Sequence, residues 1–291
     1  MKKEKSLGLN AVLNCLKSLL SVIFPLITYP YVLRILQVEN IGKVDFSNSI
    51  VNYFVLFAGL GIANYAIREG SAYKNNQQEL EKFACEMFTI NVISSVVSLA
   101  LLILAICFIP RLNLYKSILI IQSFTILGNL LGVVWLYSIV EDYLYITIRA
   151  VAVHIIALIL LFVFVRSEGD YLQYAATSVI ANAGANIFNF IHAKKYVKIK
   201  LVRIDNLKHH LGPILIIFAS TIASTIYVNS DKTILGLLSD DYHVGLYTCS
   251  VNVYTILKIC MIAIIQVSLP RLSHYIASGK LEDYKKSATY M

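Results

Sequence analysis

The sequence predicts an all-α, polytopic membrane protein, and three observations predict it. Hydrophobic residues make up 58% of the 291-residue chain and charged residues only 14%, with a mean hydropathy of +0.70. A water-soluble domain carries roughly 25% charged residues, and no larger core replaces the charge that a wet surface needs. The apolar residues also fall in runs of the length that crosses a bilayer, about 20 residues each. Finally, the polar residues inside those runs recur at helical spacing.

Eight runs qualify as spanning helices, taken here in chain order. The first, 9–36, follows the basic start Met1-Lys2-Lys3-Glu4-Lys5. It is too long for a signal-peptide core and lacks a small-x-small cleavage site, so it is a retained helix. It carries Asn10, Asn14, Lys17, Ser21 and Thr28 on one face, and Pro25 and Pro30 within it delete backbone bonds and mark bending points. The second, 45–66, opens with Asp45, Asn48 and Asn52. The third, 84–109, is apolar, and the fourth, 117–138, carries Gln122, Thr125, Asn129 and Gly132 in a stripe. The fifth, 143–165, contains Arg149 and His154, the latter read as a satisfied buried histidine. The sixth, 171–192, carries Ser178, Asn182, Asn186 and Asn189. After the basic stretch 193–210 come 211–238, with Ser220, Ser224, Tyr227 and Asp231, and 243–270, with Lys258 near its middle. Five cysteines are scattered singly through these runs without metal-ligand spacing, and read as small buried hydrophobes.

Lys and Arg in the connections set the orientation. With the N-terminus in the cytoplasm, 16 basic residues fall on the inner side, including Arg68, Lys74, Lys82 and the 194–208 group. Five fall outside: Arg34, Lys43, Arg111, Lys116 and Arg166. Most of the net charge of +8 is therefore an orientation signal, and no nucleic-acid partner is needed to explain it.

An internal repeat runs at an offset of 203: Ile41-Gly42 matches Val244-Gly245, Ser47 matches Ser250, and Arg68 matches Arg271. Both hairpins cross in the same order, which makes the repeat parallel, about an axis along the membrane normal. The domain expectation follows. Residues 1–192 form a six-helix N-terminal bundle and 193–210 a basic cytoplasmic linker. Residues 211–291 form the first two helices of a C-terminal bundle, so the chain is expected to be shorter than its architecture.

Four cations, Lys17, Arg149, Lys232 and Lys258, lie inside the predicted spans against one clear anion, Asp231. A central Lys or Arg costs roughly 2.5–3.5 kcal/mol in a membrane even on the lenient insertion scale. A water-filled cationic cavity is the simplest container for them, suited to an anionic phosphate or pyrophosphate substrate. No H-E-x-x-H, Walker loop, G-x-S-x-G or nucleophile–base pair is present, so the sequence does not read as an enzyme, and no cofactor is implied.

Specific residues then carry a resemblance. The run Pro25-Leu26-Ile27-Thr28-Tyr29-Pro30-Tyr31-Val32-Leu33-Arg34-Ile35-Leu36, continued by Glu39-Asn40-Ile41-Gly42-Lys43-Val44-Asp45-Phe46, resembles the opening of bacterial polysaccharide flippases. These are the O-antigen and capsule repeat-unit transporters of the multidrug/oligosaccharidyl-lipid/polysaccharide exporter superfamily. The likeness continues through Gly61–Gly70, Trp135–Tyr143, Tyr145–Arg149, Asp231–Gly236 and Val244–Thr248. It implies two six-helix bundles around a central cavity, twelve or more helices in all, in the bacterial cytoplasmic membrane with the N-terminus inside. It also implies flipping of an undecaprenyl-pyrophosphate-linked oligosaccharide by alternating access. Lys17, Arg149, Lys258 and Lys232 are the positions that would hold the pyrophosphate, with Asp231 as counter-ion or coupling carboxylate. Pro25, Pro30 and Arg34 are the gating positions. The implied partners are the lipid-linked oligosaccharide, membrane lipid, H+ or Na+ as coupling ion, and polysaccharide assembly proteins. The alternatives are an ion-coupled multidrug exporter of the same superfamily, which would favour buried acids; a flippase for the peptidoglycan lipid precursor; a membrane-embedded glycan polymerase or glycosyltransferase, which would need a catalytic loop at an interface; and a non-transporting scaffold.

Overall fold

The computed structural model describes residues 7–203, 207–255 and 257–258, with side chains from Leu26 onward. These residues are helical with short connections, and no strand occurs among them. The chain divides into two compact units, Met1–Leu246 and Tyr247–Met291. In the second, the described residues are helical, and the Lys258 ammonium lies 6.0 Å from the centre of the Tyr254 ring.

In the first unit, α1 (Leu7–Gly59) is two helical arms joined at Gln37, whose φ of 63° and ψ of 169° break the helix. The break falls past Pro25 and Pro30, and the helix runs through both prolines. Neighbouring helices and tilted backbone can satisfy a proline's lost bond in a membrane, so a proline need not interrupt the span. Then follow α2 (Ile62–Gly70), a 3-10 turn (Ser71–Tyr73) and α3 (Gln77–Phe108). The Asn76 side chain caps α3 by accepting from the amides of Gln78 and Glu79, and Glu79 complements the positive helix end. A short α4 (Pro110–Asn113) starts on Pro110, whose missing N–H is an orphan at that position anyway. Next come α5 (Lys116–Gly132), α6 (Val134–Ile139) and α7 (Tyr143–Phe164). The sixth predicted run is α8 (Tyr171–Val179), a π-helical turn (Ile180–Gly184) and α9 (Ala185–Ala193). After the crossover comes α10 (Lys208–Leu238), and α11 occupies 241–255.

Among the described residues, five stretches have the length and apolarity to cross a membrane: Leu26–Tyr73, Gln77–Phe108, Lys116–Ile139, Tyr143–Phe164 and Lys208–Leu238. Large apolar side chains such as Ile103, Phe108, Ile148 and Ile216 stand on the outer surface. That surface is costly in water and favourable in lipid. The protein is a multi-pass membrane protein.

The bundle has two chemically distinct ends. At one, the Tyr31 hydroxyl donates to the Val165 carbonyl (2.7 Å) and Asn40 Nδ2 to the Glu168 carbonyl (3.0 Å). There too, Arg111 donates to the carbonyls of Gly236 and Ser239 at 3.0 and 3.1 Å. At the other end, Lys74 pairs with Glu141 (2.8 Å) and the Tyr196 hydroxyl donates to Asp142 (2.6 Å). Burial, helped by that bond to Asp142, holds the Tyr196 phenol above its ordinary pKa. The described part of the basic crossover, 194–203, docks on α3. The Cys85 thiol donates to the Lys198 carbonyl (3.4 Å) and accepts from the Lys200 amide (3.2 Å), while Thr89 Oγ1 accepts from the Val202 amide (3.1 Å). Cys85 is thus a docking group for the crossover as well as a small core residue, and Cys107 is exposed on the surface.

Candidate functional site

Three helical elements break in the backbone around one cavity. α1 ends at Gly59, and Leu60 and Gly61 turn through positive φ (46° and 72°) before α2 begins. Between α5 and α6, Val133 adopts φ 35°. The third element takes its π turn at Ile180–Gly184. Broken helices free backbone groups that must be satisfied by protein or by water at membrane depth. The Ser94 hydroxyl takes the Ala58 carbonyl at 2.5 Å. Leu136 N bonds Val133 O, which leaves the Gly132 carbonyl to Asn189 Nδ2 at 2.7 Å.

The cavity enclosed there has a volume of about 250 Å³. Asn91, Ser95, Asn129 and Asn186 supply its polar wall, with Val55, Ile62, Ile126 and Trp135 among the apolar lining. No charged side chain lines it among the described residues. Ser95 is 1% exposed and its hydroxyl has no partner among the described residues. A carboxamide offers two donors and an acceptor, so three of them with a hydroxyl make a neutral site for a ligand rich in hydroxyls. A larger cavity of about 340 Å³, between Phe57, Ile93, Val97 and Leu211, is almost wholly apolar and opens on the lipid-facing side of α1 and α3.

The predicted site residues are placed as follows. Arg149 on α7 is half-buried, and its Nη1 donates to the Ala185 carbonyl at 2.7 Å, one residue before Asn186 of the cavity wall. Its Nε is buried without a hydrogen-bond partner among the described residues. On α10, Asp231 is exposed and Lys232 half-buried. The packed face of α10 is another one: Asn229 accepts from Asn52 (3.1 Å) and Thr233 bonds Ser49 (3.0 Å). The stripe Ser220–Ser224–Tyr227–Asp231 points the other way, with Tyr227 83% exposed. Lys258 is exposed in the second unit. Pro30 and Arg34 are exposed on α1. Lys17 and Pro25 lie in helical backbone, and their side chains fall outside the described residues. His154 is satisfied within its own helix by the Ala150 carbonyl at 2.8 Å.

Sequence reasoning missed two groups. Asn91, Ser95 and Ser98 stand at i, i+4 and i+7 on α3, the same signal that revealed the other stripes. Glu86 is a carboxylate inside the third apolar run and is 5% exposed, so Asp231 is not the sole interior anion. Its partner His210 lies 124 residues away in the predicted linker, a distance that no local pattern bridges.

A family model described as "Polysaccharide biosynthesis protein" matches residues 7–276. The chain belongs to that family. Two curated relatives carry the name "Putative O-antigen transporter". The one from Escherichia coli (strain K12) is 24% identical over 275 residues, covering 92% of this chain. The one from Shigella dysenteriae is 25% identical over 268 residues, covering 91%. The chain spans 66% of the length of each relative. No solved structure matches it. The family assignment accords with the resemblance carried by the α1 and Trp135–Arg149 motifs.

Proposed function

We propose that the protein transports a lipid-linked oligosaccharide of the O-antigen or capsule type, carried as its undecaprenyl pyrophosphate, from the cytoplasmic to the outer leaflet of the bacterial inner membrane. The observation that carries this reading is the neutral carboxamide cavity at the shared level of the helix breaks, in a chain whose family makes polysaccharides and whose relatives bear a transporter's name. Asn91, Asn129 and Asn186 bind sugar hydroxyls, while Arg149, its Nε without a partner among the described residues, serves the pyrophosphate through charge-assisted bonds. Lys17, Lys232 and Lys258 add positive charge for the pyrophosphate outside that neutral cavity, and Asp231 is the counter-ion or coupling carboxylate. The polyprenyl tail stays in lipid, so only the polar head needs a path.

The architecture belongs to the same proposal: a six-helix bundle over 1–192, a cytoplasmic crossover over 193–210, and the first helices of a second bundle over 211–291. The structure groups Arg34, Lys43, Arg111, Lys116 and Arg166 around one end and the crossover basics around the other, which supports an orientation with the N-terminus and the crossover in the cytoplasm. Transport runs by alternating access coupled to H+ or Na+, without a catalytic step.

Depleting the gene in its source cell tests this directly. Undecaprenyl-linked glycan accumulates on the cytoplasmic leaflet and surface polysaccharide is lost, and the gene restores both. Asn129→Leu and Arg149→Gln each cut restoration at least tenfold while the protein still inserts in the membrane. Unchanged surface glycan together with new sensitivity to cationic drugs would replace this reading with the multidrug exporter.

A further inference from the structure

Near the crossover end of the bundle, three side chains that the transport reading does not use converge on one point. Glu86 on α3 and His210 in the first turn of α10 are 5% and 4% exposed. His210 Nε2 lies 2.9 Å from Glu86 Oε2, and His210 Nδ1 lies 2.8 Å from the Tyr65 hydroxyl on α2. The neighbouring His209 is exposed, with its ring centroid 3.7 Å from that of His210. One ligating atom from each of Glu86, His209 and His210 falls within 4.8 Å of the others. We propose that these three residues bind a borderline divalent transition metal, zinc above all, and that the metal clamps α10 onto the first bundle.

The chemistry selects the ion. Two imidazole nitrogens and one carboxylate oxygen suit zinc, whereas magnesium and calcium demand oxygen-rich shells. In a tetrahedral zinc site with bonds of about 2.0–2.1 Å, neighbouring ligand atoms stand about 3.3 Å apart. The pair at 2.9 Å therefore opens by only a few tenths of an ångström, and His209 swings in as the third ligand. Tyr65 is the outer partner that a metal-bound histidine requires to fix its ring. Without metal, the neutral ring donates Nε2–H to Glu86 and accepts the Tyr65 hydroxyl at Nδ1. With metal on Nε2, the ring's single proton resides on Nδ1 and faces the Tyr65 oxygen, so the neutral ring need lose no proton overall. Glu86 supplies the anion that a buried dication needs, and Glu69 adds negative charge to the same neighbourhood. A water fills the fourth position on the exposed side beside His209. The site joins α3 and α10, which bracket the crossover 194–207, so occupancy bears on the mobility of α10 whatever the protein carries.

The test uses the full 291-residue chain, purified in detergent, stripped with chelator and titrated with Zn2+ by calorimetry and with Co2+ by its visible absorption. One saturable equivalent is expected, with a rise in thermal midpoint that Mg2+ does not reproduce. His209→Asn leaves the buried Tyr65–His210–Glu86 contacts intact and weakens Zn2+ at least tenfold, and Glu86→Gln does the same. His243→Asn, which changes an exposed histidine bonded to Asp240, leaves binding unchanged. Absence of saturable binding, or wild-type affinity in His209→Asn, would overturn the site.

Discussion

Single side chains already separate stability from function. Ser95 is buried in the cavity wall with its hydroxyl unpaired among the described residues, and an unsatisfied buried hydroxyl costs about 1–3 kcal/mol. Ser95→Ala should therefore raise stability in detergent by on the order of 1 kcal/mol and lower glycan transport, as measured by thermal unfolding and by surface polysaccharide. Equal or lower stability would mean that the hydroxyl is satisfied in the resting protein. At the opposite extreme of exposure, Asp170 closes the connection before α8. It accepts from the amides of Arg166 and Ser167 at 2.9 and 2.7 Å and from the Ser167 hydroxyl at 2.8 Å. These donors hold its carboxyl below the usual range. A depressed carboxylate stabilises above its unfolded pKa of about 3.9, and the contribution is lost as pH falls through the folded value. Protection of the Ser167 amide, referred to its intrinsic exchange rate, should be high at pH 5 and fall once the pH drops below the unfolded carboxylate pKa of about 3.9. Low protection already at pH 5 would remove this bond set.

At the scale of elements, the sequence showed where helices lie better than where they break. The apolar runs located α3, α5–α6, α7 and α10 because a membrane demands length and apolarity, both one-dimensional properties. Pro25 and Pro30 drew attention as bending points, yet α1 breaks at Gln37, Leu60 and Gly61. Those breaks are set by tertiary partners, such as Ser94 on the Ala58 carbonyl, which lie elsewhere in the chain. The Asn and Ser stripes were legible as polar seams. Their division into cavity wall (Asn129, Asn186) and backbone satisfier (Asn189) was not, because it depends on which neighbouring helix frees a carbonyl. Gly128 and Gly132 bring α5 against the π turn and α9, where an added methyl at Gly128 would stand 2.4 Å from the Ala183 Cβ. Asn189→Leu strips the Gly132 carbonyl of its partner and should cost about 1–3 kcal/mol in thermal unfolding. Asn189→Asp, which cannot donate when ionised, should fail likewise, whereas Asn189→Gln should recover part of the loss. Wild-type stability in the Leu variant would show that the break at Val133 needs no side-chain support.

At the scale of the whole molecule, the repeat at offset 203 meets itself in space. A Cβ on Gly42 would lie 1.8 Å from the Asp241 carbonyl oxygen and 2.9 Å from Gly245 N. A Cβ on Gly245 would lie 2.1 Å from the Val38 carbonyl oxygen. The offset maps Gly42 onto Gly245 and Val38 onto Asp241, so each contact is the image of the other, as at a two-fold axis. The break at Gln37 likewise maps onto Asp240, between α10 and α11. The same offset pairs α10 with the first arm of α1, and α10 is tied to the preceding helices at three heights: His210 at the crossover end, Asn229 and Thr233 midway, and the Arg111 clamp on Gly236 and Ser239 at the far end. The alternating access proposed above requires some of these ties to part in each cycle. In a background without the native cysteines, Asn52→Cys with Asn229→Cys should form a disulfide in membranes, because the native side chains touch at 3.1 Å. Pairing Asn52→Cys with Tyr227→Cys should not, since Tyr227 faces away from α1. If α10 moves against α1 during transport, the 52–229 crosslink arrests surface glycan display and reductant restores it. Full transport by the quantitatively crosslinked protein would show instead that α1 and α10 travel as one rigid body, and that the moving boundary lies beyond α10.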